Sequence, residues 1–271
     1  SLEEEAREWE ALADEGLRGM AVIVMGYHLG RPSKCLELIP KAYHHRIAES
    51  IFRGEPDPVR ALPGELPGLR LFPYLDSRFI QRGEEDLAPF RDAGYKGLKV
   101  LYVPEEDREN GMVGWQKLFG RTVRQSEDLT STLVEQAAEF GWPVIFHVDL
   151  RRYGGFVEDL LRSFTGTPFV IPHFGFSRKA VAGVLERWNN AHTDFSSLLP
   201  FMKKDPDAYK SFIAEFPDRV LFGTDATMGW ADLTRAYLGF VREMLTDEEV
   251  LQKILSLNYL RVHGLRDESG E

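Results

Sequence analysis

In the second half of the chain, three short apolar runs each lead to a polar residue able to hold a metal ion. Trp142-Pro143-Val144-Ile145-Phe146 leads to His147, Phe169-Val170-Ile171-Pro172 to His173, and Val220-Leu221-Phe222-Gly223-Thr224 to Asp225. The interval from His173 to Asp225 is twice that from His147 to His173, so the spacing reads as one and then two copies of a single unit. A short, continuous apolar run bordered by Gly or Pro suits a strand buried on both faces, as in a parallel sheet. The three polar residues are therefore expected at the carboxyl ends of parallel strands.

The rest of the chain alternates in the same way. The pattern predicts an amphipathic helix from Leu2 to Arg18 and then a strand Ala21-Val22-Ile23-Val24-Met25. Residues 33–53 read as a helix, Leu69-Arg70-Leu71-Phe72-Pro73-Tyr74-Leu75 as a strand, residues 84–93 as a helix and Gly97-Leu98-Lys99-Val100-Leu101-Tyr102-Val103 as a strand. The charged, glycine-rich residues 104–122 read as a long loop over the site, and residues 126–140 as a helix. Further helices are expected over 155–163, 179–189, 207–216, 233–245 and 247–258, with a weaker strand Ala191-His192-Thr193-Asp194-Phe195 ending at Ser196-Ser197. Seven strands alternating with helices over short connections predict an α/β fold, a TIM-type (β/α) barrel whose first strand lies outside this sequence. Barrel enzymes carry their active sites at the carboxyl ends of the strands, where His147, His173 and Asp225 would meet.

At 271 residues and 43% hydrophobic, the chain fits one barrel domain over residues 1–271. Ser1-Leu2 reads as an expression remnant or the cut end of a longer segment, and residues 266–271 as a polar, frayed tail. A net charge of −10 and a pI near 5.3 weigh against nonspecific nucleic-acid binding and against a polybasic membrane anchor. The single cysteine, Cys35, cannot form an internal disulfide, and no apolar stretch approaches the ~18 residues of a spanning helix. Cytoplasm is the default compartment and a small molecule the expected partner. An open edge beside the first visible strand would favour a homo-oligomer or a covering helix.

Two imidazoles and a carboxylate at one rim suit a divalent ion of zinc type, because borderline-soft Zn²⁺ accepts nitrogen and oxygen ligands. Such an ion lowers the pKa of bound water to about 7 and polarises a carbonyl, which makes hydrolysis the natural reaction. Asp225 is then both ligand and proton acceptor. Each residue alone has a simpler reading: a strand-end His is commonly a hydrogen-bonded core residue and a strand-end Asp a helix cap.

Gly141-Trp142-Pro143-Val144-Ile145-Phe146-His147, Pro172-His173-Phe174-Gly175, Arg219-Val220-Leu221-Phe222-Gly223-Thr224-Asp225 and Lys253-Ile254-Leu255-Ser256-Leu257-Asn258-Tyr259-Leu260 resemble motifs of the amidohydrolase superfamily. The likeness is strongest to the amidohydrolase 2 branch, which includes aminocarboxymuconate-semialdehyde decarboxylase-like enzymes and pyrone-dicarboxylate lactonases. It runs over about residues 5–265, and Gly94-Tyr95-Lys96-Gly97-Leu98-Lys99 is similar to the family's approach to its fourth strand. The resemblance implies that His147 is the fifth-strand metal ligand, His173 the sixth-strand ligand or transition-state hydrogen-bond donor, and Asp225 the eighth-strand ligand and proton acceptor. It implies a metal-dependent hydrolase or nonoxidative decarboxylase acting on a small carboxylate, lactone or amide.

One family feature is absent. The first-strand His-x-His pair occurs nowhere in this sequence, and the adjacent His44-His45 sits in an expected helix, where neighbours diverge by about 100° and cannot chelate together. The alternative reading is therefore a noncatalytic or truncated amidohydrolase-like barrel with an incomplete metal site. Arg151 and Arg152, expected with Tyr153 in the loop after the fifth family strand, and Arg178, after the sixth, are candidate clamps for a substrate carboxylate. Arg78 is equally placed, and Lys99 is expected to pair with a carboxylate. His28 is a candidate substitute ligand or a loop histidine, Trp230 an apolar wall, and His192 and His263 are read as structural.

Overall fold

The computed structural model describes residues 10–24, 69–77, 86–109, 111–226 and 231–266. The helix expected over 33–53, together with Cys35, His28, Arg78 and Trp230, lies outside the described residues. Seven strands are present among them: β1 (Gly19–Val24), β2 (Arg70–Asp76), β3 (Gly97–Leu101), β4 (Val144–His147), β5 (Phe169–Ile171), β6 (Ala191–Asp194) and β7 (Val220–Leu221). They follow one another in the sheet in chain order. Strands separated by helices and paired in parallel are the TIM-type (β/α) barrel plan. No helix among the described residues is long and apolar enough to cross a membrane.

The chain divides into two compact units, residues 17–144 and residues 1–16 with 145–271, the division falling inside β4. In the first, β1 and β2 pair in parallel from Gly19↔Arg70 to Val24↔Leu75, and β2 pairs with β3 from Tyr74↔Gly97 to Asp76↔Lys99. Gly97 is required by space, since a Cβ there would fall 2.4 Å from the Tyr74 ring. Lys99 and Asp76 are both buried and opposite each other in register. The helix Val123–Glu139 starts at a reciprocal cap, with Gln125 N donating to Thr122 Oγ1 (3.2 Å) and Thr122 N to Gln125 Oε1 (2.9 Å). Its inward stripe, Leu129, Leu133, Val134 and Ala137, is buried at helical spacing.

Residues 104–122 are more ordered than the loop expected from their composition. Asp107 and Met112 form an antiparallel bridge, and Trp115–Phe119 is a short helix closed by Gly120 in the left-handed region. Burial of Trp115 and the bond from its amide to Val103 O (2.8 Å) give this segment the core contact that its polar composition conceals.

In the second unit, β5 and β6 pair in parallel from Phe169↔Ala191 to Ile171↔Thr193, and β6 pairs with β7 at Thr193↔Val220 and Asp194↔Leu221. The helix after β4 spans Leu150–Ser163 and begins earlier than expected, because Asp149 caps it by accepting from Arg151 N (2.9 Å). Arg151, Arg152 and Tyr153 therefore lie in its first turns and not in a loop.

β7 ends at Leu221, earlier than its apolar run suggests, because Phe222 N leaves the ladder and donates to Ile254 O (3.0 Å). Ile254 lies in the π-helical turn Lys253–Leu257, a geometry in which a carbonyl is released from the regular helical pattern. Next to that turn, the fully buried Asn258 donates from Nδ2 to Pro217 O (2.8 Å) and Val220 O (2.7 Å). Both ends of β7 are thus pinned to one helical segment, which fixes where the chain leaves toward Asp225.

Candidate active site

Of the three polar residues expected at strand ends, His147 ends its strand, while His173 and Asp225 follow β5 and β7 by two and four residues. His147 is the last residue of β4 and half-buried, His173 follows β5 and is buried, and Asp225 follows β7 and is exposed. The His147 and His173 rings meet edge to face with centroids 5.2 Å apart at 75°. Phe176 closes this cluster, 5.2 Å from the His147 ring and 5.8 Å from that of His173.

His173 owes its position to an unusual backbone. His173, Phe174, Gly175 and Phe176 all have positive φ, at 57°, 52°, 54° and 60°, a full left-handed turn directly after β5. L-residues other than glycine resist this conformation by roughly 1–2 kcal/mol each, so its three non-glycine members need external support. Ser177 N donates to Phe174 O (2.9 Å), and the Phe174 ring stacks on Tyr209 (5.8 Å, 23°) and packs against Phe212 (4.6 Å). His173 N donates to Asp194 Oδ1 (3.1 Å).

Asp194, the last residue of β6, was not among the residues that the pattern singled out. Its Oδ1 accepts from His173 N, from Ser196 N (2.9 Å) and from Ser196 Oγ (2.5 Å). Ser196 in turn faces His173, with its carbonyl oxygen 2.7 Å and its Oγ 2.9 Å from Nδ1. Gly223 lies against the Asp194 carboxylate, where a Cβ would meet Cγ and Oδ2 at 3.2 Å. The signal available in the sequence was positional: Asp194, Ser196 and Ser197 end the sixth strand in the manner in which His147 ends the fourth.

Ser197 links β6 to Asp225. Its Oγ donates to Asp225 Oδ2 (2.7 Å) and its amide to Thr224 O (3.3 Å), and both Ser197 and Asp225 have φ of 58°. Every non-glycine residue of positive φ among those described, namely His173, Phe174, Phe176, Ser197 and Asp225, lies just after β5, β6 or β7. Beneath them, Tyr237 accepts from Leu199 N (2.9 Å) and packs against Phe195 and Phe222. Burial raises the pKa of its hydroxyl, the Leu199 amide opposes the rise, and the Asp194 and Asp225 carboxylates add to it.

The three candidate arginines have different surroundings. Arg151 forms a two-pronged pair with Asp149, Nε to Oδ1 at 3.0 Å and Nη2 to Oδ2 at 2.9 Å, so its guanidinium already serves the helix cap. Arg152 lies over the Tyr153 ring at 5.0 Å. Arg178 covers the Tyr209 ring at 4.5 Å, with Asp205 3.8 Å away. His192 is buried in β6, and burial followed by the charge of Arg219 lowers its pKa to about 4. His263 stacks on Tyr259 at 4.0 Å, and burial lowers its pKa to about 4. His192 lies two residues before Asp194 on β6, and His263 lies in the turn after the helix Asn258–Val262.

For a metal ion, the donors fit only in part. The two imidazoles are close, and the His173 ring makes its hydrogen-bond contacts with Ser196 through Nδ1. Asp225, however, is turned to Ser197, and among the described residues no three His, Cys, Asp or Glu side chains are grouped to hold an ion.

Comparison with known proteins bears on the fold and the family. No curated protein matches the chain. Solved structures do: an amidohydrolase from Burkholderia multivorans with bound HEPES is 14% identical with a TM-score of 0.54, over 93% of this chain and 100% of that one. A proposed 2-pyrone-4,6-dicarboxylic acid hydrolase from Pseudomonas putida is 15% identical with a TM-score of 0.53, over 92% and 98% of the two chains. A proposed metal-dependent hydrolase from Lactobacillus casei is 15% identical with a TM-score of 0.50, over 95% and 83%. At such identities the likeness is one of fold. The family model described as Amidohydrolase matches residues 65–265, a span that takes in His147, His173, Asp194 and Asp225, and the chain belongs to the amidohydrolase family.

Proposed function

We propose that this amidohydrolase hydrolyses a small carboxylate-bearing ester, lactone or amide, with nonoxidative decarboxylation as the other chemistry open to the same residues. The observation that carries the reading is the concentration of left-handed, non-glycine backbone after β5, β6 and β7, around His147, His173 and Asp225. Strain of this kind persists where the surrounding structure enforces it, and such places cluster at active sites. The carboxyl ends of the strands are also where barrel enzymes do their chemistry.

In this reading Asp225, exposed and oriented by Ser197, takes a proton from the attacking water as its oxygen adds to the substrate carbonyl. The same proton passes to the departing alkoxide or amine as the C–O or C–N bond breaks, which returns Asp225 to its carboxylate form. His147 and Phe176 line the reacting space, half polar and half apolar. Arg152, over the Tyr153 ring, and Arg178, over the Tyr209 ring, are the guanidiniums proposed to meet a substrate carboxylate, while Arg151 pairs with Asp149.

Family membership points to a divalent cation, and nitrogen and oxygen donors favour zinc. The described residues supply only part of its ligand set, so the proton steps above are assigned to side chains alone. A single cysteine and an acidic net charge of −10 support a small-molecule substrate in the cytoplasm.

The test is hydrolysis of a panel of small lactones, esters and amides, with and without added Zn²⁺, followed by proton release for the lactones and esters and by amine release for the amides. Turnover of at least one substrate, reduced about 100-fold or more in Asp225→Ala, is expected. A folded protein that hydrolyses none of them supports the second reading, a noncatalytic member, which the scattered donor set among the described residues favours.

A further inference from the structure

We propose that Asp194 and Ser196 lock His173 in the tautomer that carries its proton on Nδ1. His173 then works in the reaction as a lone-pair donor through Nε2, and not as a hydrogen-bond donor to developing negative charge. The tautomer follows from geometry. His173 Nδ1 lies 2.7 Å from the carbonyl oxygen of Ser196, which can only accept, so Nδ1 must carry the hydrogen. The opposite tautomer would press two lone pairs together at that distance in a buried site, leaving both unsatisfied.

Among the described residues, Ser196 Oγ, 2.9 Å from Nδ1, is the group that could reverse this by donating to the ring. Its proton is committed elsewhere, because Oγ lies 2.5 Å from Asp194 Oδ1, a carboxylate oxygen that can only accept. The hydroxyl is thus left with lone pairs toward Nδ1, and the ring N–H is shared between the Ser196 hydroxyl and carbonyl oxygens. Asp194 also holds the amides of His173 and Ser196, so one carboxylate oxygen fixes the backbone on both sides of the imidazole. Gly223 leaves room for that carboxylate. Asp194 is accordingly a positioning residue, acting on substrate only through His173.

In a neutral imidazole with Nδ1 protonated, Nε2 has a lone pair and no hydrogen. It can take a proton or ligate a cation, and it cannot donate to an oxyanion until it has first gained a proton. This consequence rests on the hydrolytic reading above; the tautomer does not.

The experiment is a long-range ¹H–¹⁵N correlation spectrum of the full chain labelled at histidine, recorded at about pH 9, above the ordinary imidazole range. The His173 signals are those lost in His173→Asn. A pyridine-type shift at Nε2 and a pyrrole-type shift at Nδ1 are expected, and the reverse pattern overturns the proposal. Asp194→Ala is expected to give averaged shifts from both tautomers and, where the enzyme turns over a substrate, kcat lower by about 10–100-fold with KM within about threefold. Asp194→Asn, which keeps an accepting Oδ1, is expected to restore the single tautomer. An Asp194→Ala spectrum identical to that of the parent protein removes the positioning role. Should that variant fail to fold, the parent spectrum still decides the tautomer, and it does so even if no substrate is turned over.

Discussion

Replacing Gly175 by alanine tests the left-handed turn that carries His173. At φ of 54°, any L-side chain meets a backbone penalty of about 1–2 kcal/mol. The added Cβ would also lie 2.4 Å from Leu150 Cδ1, 2.6 Å from Leu150 Cγ and 3.2 Å from Ile171 Cγ2. Ordinary carbon contacts lie near ~3.5–4.0 Å, so Leu150 must move by about 1 Å or more. Leu150 is buried at the first turn of its helix, beside the Asp149 cap, and cannot swing into solvent without dragging that turn. Overpacking of this kind costs about 1–3 kcal/mol, and the two effects together give about 2–5 kcal/mol. For a chain of this size that is a fall in Tm of roughly 5–15 °C, read by thermal or urea unfolding. Gly239→Ala is the control, since Gly239 lies in the helix Ala231–Met244 and a methyl added there would have nothing within 4 Å. That change should stabilise by about 0.5–1 kcal/mol through helix propensity. A Gly175→Ala protein whose Tm stays within about 2 °C of the parent would refute the reasoning about both the turn and its packing.

Two further predictions concern stability. His192 is buried, with no hydrogen-bond partner for Nδ1, and its folded pKa of about 4 lies below the unfolded value near 6.5. In that window the unfolded chain binds more protons, so the contribution is complete above about pH 6.5 and falls by up to about 3 kcal/mol as pH drops toward 4. Urea unfolding at a series of pH values should show a shallower acid decline in His192→Leu than in the parent, and parallel declines would contradict the assignment. Asn258→Ala orphans the buried Pro217 and Val220 carbonyls and should lower stability by about 2–4 kcal/mol, measured by urea unfolding; a loss under about 0.5 kcal/mol would show that β7 does not depend on that clamp.

The strands were legible because a buried parallel strand must be apolar on both faces, and Phe169–Ile171 and the run into His147 state that plainly. The end of β7 was not, because Phe222 bonds to Ile254 across a sequence separation that no local pattern records. The left-handed turn was hidden for a related reason: His173, Phe174 and Phe176 have no preference for that conformation, and tertiary packing imposes it. His147, His173 and Asp225 stood out by type and position. Asp194 and Ser196 were read as the close of a weak strand, although they occupy the same topological place. Asp149, two residues before Arg151, is the capping residue that puts Arg151 in a helix and not in the expected loop. Trp115–Phe119 lay within a segment whose charge and glycine content outweighed its one buried aromatic.

The central claim is that Asp225 moves the proton in a hydrolytic reaction at the exits of β4, β5 and β7. It is tested most directly by comparing kcat for the best panel substrate in the parent protein and in Asp225→Asn. Because Asp225 is exposed, the variant should fold with a Tm within about 2 °C of the parent, while kcat falls by about 100- to 10,000-fold. A folded Asp225→Asn protein that turns over substrate at the parental rate would contradict the account.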